Sequence, residues 1–86
     1  MSYILFLKPR AKKELANLED ADRIKARVVL EVILKNPFLG KNLSGELPNQ
    51  YSMCAWPFRI IYEIRKKELV ILIPLIRHRK DVYKRW

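Results

Sequence analysis

Apolar and polar positions alternate in three different rhythms along this chain, and each rhythm predicts an element. Tyr3-Ile4-Leu5-Phe6-Leu7 is aromatic and branched throughout, which predicts a first strand. Pro9 suits the first turn of a helix, where its missing N–H would have had no partner anyway. Ala11, Leu15 and Leu18 then recur at four and three residues, one face of a short amphipathic helix, with Lys12, Lys13 and Glu14 off that face. Asp20 or Asp22 can cap a second helix, whose expected core positions are Ile24, Val28, Val29, Val32 and Ile33. Asn36-Pro37 stops it, because the residue before a proline is driven out of the α region. Two helices so close in sequence predict an antiparallel hairpin.

From Phe38 to Asn49 the rhythm is lost; both glycines lie here, so the stretch is expected to be a loop back to a sheet. Tyr51 to Trp56 and Phe58 to Arg65 predict two strands broken at Pro57. In the second, Phe58, Ile60, Tyr62 and Ile64 share one face, while Arg59, Ile61, Glu63 and Arg65 share the other. After the charged turn Lys66-Lys67, the run Leu69 to Ile76 is apolar at every position, as in a central strand covered on both sides. Pro74 cannot donate to a ladder, so a bulge or a one-sided edge is expected there. The predicted class is α+β, a helical hairpin on a mostly antiparallel four-stranded sheet in the order β-α-α-β-β-β, with residues 1–86 as one domain.

Charge sharpens this picture. The 86 residues carry 18 Lys plus Arg against 9 Asp plus Glu, a net +9 that favours a polyanionic partner over a neutral metabolite. A solubility charge or thermal adaptation is the plainer account of the same surplus. One cysteine, Cys54, excludes an internal disulfide and a Cys-rich metal site, and one histidine argues against zinc, so no metal and no cofactor are expected. The start is too short for a signal segment, with Lys8 and Arg10 after it, and Leu69 to Ile76 is too short to span a bilayer. A cytoplasmic protein without a membrane contact is expected.

The candidate chemistry gathers where the last apolar strand ends. Arg77-His78-Arg79-Lys80-Asp81-Val82-Tyr83-Lys84-Arg85-Trp86 follows it directly. Period-two counting gives Arg77 and Arg79 the parity of Ile71, Ile73 and Leu75 unless Pro74 shifts the register, and sets Arg59 on the face opposite Phe58 and Ile60. Guanidiniums gathered on one groove offer forked donors that match phosphate oxygens. Metal-free RNA cleavage requires deprotonation of a 2′-OH, stabilisation of a phosphorane and protonation of the 5′-oxygen. Arginines can serve the second step, a histidine the first or third, and a tyrosine can hydrogen-bond the reacting atoms or stack on a base. Each residue also has a duller account. His78 can be a solvated strand end, Arg59 can pair with Glu63, and Tyr83 and Trp86 can plug the core. Tyr51, Trp56 and Tyr62 are expected to pack rather than to form a stacking platform.

The order of segments is more specific than any single residue. Arg59-Ile60-Ile61-Tyr62-Glu63-Ile64, a turn, an apolar strand and His78-Arg79-Lys80-Asp81-Val82-Tyr83-Lys84-Arg85 closely resemble the C-terminal half of the RelE/ParE toxin superfamily. Ala11-Lys12-Lys13-Glu14-Leu15 and Leu43-Ser44-Gly45 are similar to it as well, so the resemblance spans nearly the whole chain. It implies the toxin of a type II toxin–antitoxin pair, bound by a cognate acidic antitoxin. RelE-like members cleave mRNA on the ribosome by 2′-OH attack and so inhibit translation; ParE-like members poison DNA gyrase. Carried over by position, Arg59 and Arg79 correspond to phosphate-binding arginines, Tyr83 to a C-terminal tyrosine, and His78 to a histidine found in many members. Arg77, Lys80, Lys84 and Arg85 are then expected to hold RNA. Two departures stand out. Ser52 and Cys54 occupy roughly the positions of lysines in RelE, which shifts the general-base role to His78, and Trp56-Pro57 replaces a glycine-containing turn. The retained histidine, arginines and tyrosine favour an mRNA endoribonuclease; the missing lysines favour a gyrase inhibitor. A generic basic nucleic-acid-binding module is the third reading.

Overall fold

A computed structural model describes residues 3–43 and 49–78. Its strands are β1 (Ile4–Leu7), β2 (Lys41–Asn42), β3 (Gln50–Ala55), β4 (Phe58–Arg65) and β5 (Val70–His78); its helices are α1 (Pro9–Ala16) and α2 (Asp20–Lys35). The strands form one sheet in the order β1-β5-β4-β3-β2. β1 runs parallel to β5, and the remaining pairs are antiparallel. The α+β class and the order of the main elements are as expected, but the sheet has five strands rather than four. The extra strand lies inside the expected loop, where Lys41 pairs with Ser52 and Asn42 with Tyr51. Two residues are too few to show alternation, so nothing in the pattern marks them.

β5 pairs with β1 on one edge and β4 on the other, but the expected cover on both faces is not met among the described residues: Ile71, Ile73 and Ile76 are buried under the helices, whereas Val70, Leu72 and Leu75 are only partly buried. β4 follows its alternation, with Phe58, Ile60, Tyr62 and Ile64 buried and Arg59 and Arg65 exposed. The buried set packs with Ile71, Ile73 and Ile76 of β5 against Ala11 of α1 and Ala26, Leu30 and Ile33 of α2.

Two expectations about α2 are corrected. Its buried positions are Ala26, Leu30 and Ile33, whereas Ile24, Val28 and Val32 are exposed. The helix carries two apolar stripes, and the one containing small Ala26 faces the sheet, where a short side chain permits close approach. Ile33 is buried as expected, and Val29 is a partly buried neighbour of the core. The cap position is Glu19, without a side-chain cap bond, so Asp20 and Asp22 instead occupy the first turn, where carboxylates oppose the helix dipole. Arg23 fastens the turn between the helices by donating to the Ala16 carbonyl at 3.2 Å and the Leu18 carbonyl at 3.1 Å, with Asp20 as its ionic partner.

At the β2 edge, buried Tyr62 locks the connection after α2. Its hydroxyl donates to the Pro37 carbonyl at 2.7 Å and accepts from the Gly40 N–H at 3.1 Å. A Cβ at Gly40 would stand 2.8 Å from the Ser52 carbonyl oxygen and collide with the Tyr62 ring, so this close approach requires glycine. Tyr51 stacks on Tyr62 with ring centroids 5.7 Å apart, which makes both tyrosines packing residues, as expected. Among the described residues, no helix is long and apolar enough to cross a membrane.

Candidate functional site

The site begins with a register change. Between β4 and β5, Ile61 lies opposite Leu75 but Glu63 lies opposite Leu72, so Tyr62 faces both Ile73 and Pro74. This is the expected bulge at Pro74, one extra residue in β5. Its consequence is a change of face. Ile71 and Ile73 are buried before it, Ile76 is buried after it, and Arg77 is exposed. Unbulged period-two counting would have sent Arg77 into the core beside Ile73. Pro74 therefore moves the guanidinium to the open face of the sheet.

Residues directly opposite each other in antiparallel strands share a face. Cys54 pairs with Arg59, and Arg59 with Arg77, so these three side chains form a row across β3, β4 and β5. All three residues are exposed. Like charges directly opposite one another repel. Among the described residues, neither arginine lies within ion-pair distance of a carboxylate. Glu63, the alternative partner of Arg59, binds Arg65 at 3.0 Å and accepts from Gln50 at 3.4 Å. An anion seated between Arg59 and Arg77 would relieve their repulsion and receive forked donors from both.

The next pair along, Phe58 with His78, belongs by alternation to the helix-covered face, and the half-buried His78 adjoins the arginines at the strand end, where it too lines the cleft. Trp56 and Pro57, joined by a cis peptide bond, make the turn between β3 and β4. Cys54, Trp56, Pro57, Phe58, Arg59, Arg77 and His78 together line an open cleft of about 130 Å³, space for several waters and hence for a ligand group. Trp56, expected to pack, is 64% exposed. Its carbonyl accepts a 2.9 Å hydrogen bond from Lys25 Nζ of α2, which ties the turn to the helical layer.

A residue outside the cleft supports it. β1 ends at Leu7, and the last backbone bond between the two strands is from the Lys8 N–H to the Ile73 carbonyl at 3.0 Å. Beyond the bulge the buried Ile76 N–H donates instead to Glu14 Oε1 of α1, at 2.8 Å. Glu14 thus substitutes for a missing strand next to Arg77 and His78. No sequence signal marks it, because the contact joins residues 62 apart through a carboxylate off the helix's main apolar face. Arg79, Tyr83, Lys80, Lys84 and Arg85 lie outside the described residues. Ser52 is buried and Cys54 exposed. Among the described residues, no group of His, Cys, Asp and Glu is arranged to hold a metal ion.

Comparison with known proteins places this geometry in a family. Residues 5–83 match the ParE toxin of the type II toxin–antitoxin system parDE. The fold is similar to that of the toxin in the intact Escherichia coli RelBE toxin–antitoxin complex, with a TM-score of 0.79, 21% identity, and coverage of 88% of this chain and 95% of that one. The Mycobacterium tuberculosis RelBE2 complex gives 0.73 at 26% identity, covering 91% and 99% respectively. The archaeal RelE–RelB complex of Pyrococcus horikoshii gives 0.75 at 21% identity, covering 92% and 97%. No curated protein matches the sequence.

Proposed function

This chain belongs to the ParE toxin family of type II toxin–antitoxin systems, within the RelE/ParE superfamily, and from the residues of its cleft rather than from the family match we propose that it is an mRNA endoribonuclease acting on the ribosome. The observation that carries the reading is the Arg59–Arg77 pair beside His78 in one cleft. In this mechanism a 2′-OH loses its proton and its oxygen attacks the adjacent phosphorus. The bond from phosphorus to the 5′-oxygen breaks, leaving a cyclic phosphate and a 5′-OH, and no metal is called for. Arg59 and Arg77 stabilise the charge that accumulates on the phosphorane. His78 takes the 2′ proton or delivers one to the leaving oxygen. Arg79 and Tyr83 join them by family correspondence, and Lys80, Lys84 and Arg85 extend the basic track along the RNA.

The partner under this reading is an acidic antitoxin. The +9 charge draws it in, and the exposed stripe Ile24, Val28 and Val32 offers an apolar seat of the kind an amphipathic segment covers. The relatives from E. coli, M. tuberculosis and P. horikoshii were each crystallised with an antitoxin. Cys54 and Ser52 in place of lysines favour a second reading, a ParE-like gyrase inhibitor without nuclease activity. Primer extension on mRNA from toxin-treated ribosomes, run beside a gyrase supercoiling assay, separates the two. Cleavage with unimpaired supercoiling is the expected outcome; lost supercoiling with intact mRNA would replace the first reading by the second.

A further inference from the structure

Trp56 is exposed and lines the cleft of the paired arginines, and its mounting is rigid. The turn it occupies is only two residues long, between Ala55 and Phe58, which pair directly across β3 and β4. Pro57 fixes the backbone on one side, and Lys25 Nζ holds the Trp56 carbonyl from α2 at 2.9 Å. A side chain of this size left 64% exposed on so constrained a turn contributes little to the core. It lines the same cleft as Arg59 and Arg77, and none of the described residues lining that cleft is Asp or Glu.

We propose that Trp56 is a base-stacking platform: an unpaired nucleobase adjoining the phosphate gripped by Arg59 and Arg77 lies against its indole. The inference deepens the RNA-cleaving reading and rests on it for the identity of the ligand. A flat aromatic ring next to forked cations matches the two halves of a nucleotide, a π-face and a phosphate. Stacking tolerates any base, since every base has a π-face. The walls of the cleft formed by Trp56, Pro57 and Phe58 offer few side-chain hydrogen-bonding groups to a base edge, so this position selects single-stranded over paired RNA without reading sequence. An acidic peptide of an antitoxin could satisfy the arginines too, but has less need of an aromatic plane at their side.

The test uses the full chain and a short single-stranded RNA made uncleavable by 2′-O-methylation, together with the same strand carrying one abasic site, moved along in successive probes. Trp56→Ala is expected to weaken binding of the intact strand about 5- to 140-fold, the range that loss of one stacked base produces. Trp56→Phe should recover most of that loss. At one abasic position, the wild type and Trp56→Ala should bind equally, while Arg59→Ala weakens every probe. Equal losses on intact and abasic strands, no loss at all, or absence of RNA binding by the wild type would each overturn the proposal. So would a Trp56→Ala protein that binds RNA normally but has lost an acidic antitoxin peptide. Ribosomal cleavage is scored separately: base-dependent binding without cleavage removes the nuclease reading and keeps the platform, whereas cleavage with no base-dependent binding does the reverse.

Discussion

Replacing Glu14 with alanine tests the idea that one carboxylate holds the functional end of β5 in place. The bond at stake is the 2.8 Å contact from the buried Ile76 N–H to Glu14 Oε1. A hydrogen bond to a charged acceptor is worth about 1.5–3 kcal/mol, and removing the acceptor strands a buried donor. The same carboxylate meets Arg10 at 3.1 Å, but Arg10 is 69% exposed, and an i,i+4 pair of that kind contributes about 0.3–0.5 kcal/mol. The amide bond should therefore dominate. Urea unfolding should show Glu14→Ala destabilised by about 1.5–3 kcal/mol at unchanged slope, Arg10→Ala by less than about 0.5, and Glu14→Gln in between, since a neutral acceptor is roughly half as strong. Amide exchange at Ile76 and Arg77 should accelerate in Glu14→Ala beyond what its lower global stability accounts for. If Arg10→Ala and Glu14→Ala lose equal stability, or Glu14→Ala stays within about 0.5 kcal/mol of wild type, the capping argument fails.

Other substitutions probe the two ends of the sheet. Tyr62→Phe leaves the Pro37 carbonyl and Gly40 N–H without their shared hydroxyl and should lower stability by about 1–3 kcal/mol in thermal or urea unfolding. Burial, only partly offset by the Gly40 N–H and with a small further push from Tyr51, raises the Tyr62 pKa above the ordinary 10.0. Above that value the unfolded chain ionises first, so this tyrosine's stabilisation is complete below pH 10 and lost as pH rises through the folded value. The gap between wild type and Tyr62→Phe should accordingly narrow in alkaline unfolding experiments. Gly40→Ala should destabilise the same lock, read as a lower Tm, because its methyl group must displace Tyr62 or the Ser52 carbonyl. Arg59→Ala and Arg77→Ala should each reduce ribosomal cleavage about 100- to 1,000-fold and flatten the salt dependence of RNA binding by about 0.7 in log–log slope per lost phosphate contact. Unaltered salt slopes in both would detach these arginines from phosphate.

Period-two and helical spacing carried most of the fold by themselves. The alternation in Phe58 to Arg65 fixed which face of β4 is buried, and the uniform apolarity of Leu69 to Ile76 marked β5 as a strand, though only one of its faces is fully buried. Those patterns are legible because burial selects residues one by one at fixed intervals. Spacing could not choose between the two apolar stripes of α2, which depends on how closely Ala26 lets the helix approach the sheet. Nor could it reveal β2, too short to have a period.

The candidate site divides along the same line. Arg59, Arg77 and His78 stand out in the sequence as charge and chemistry at strand ends, and Pro74 announces an irregularity. That Arg59 and Arg77 meet, however, follows from the side of the register on which the bulge falls: one extra residue turns Arg77 from the core to the open face and sets it opposite Arg59. Glu14 and Trp56 belong wholly to tertiary structure, one because it reaches a backbone amide 62 residues away, the other because the fold leaves it more than half exposed. Sequence determined which side chains were available for phosphate chemistry; the sheet register, which depends on long-range pairing, decided which of them share a cleft.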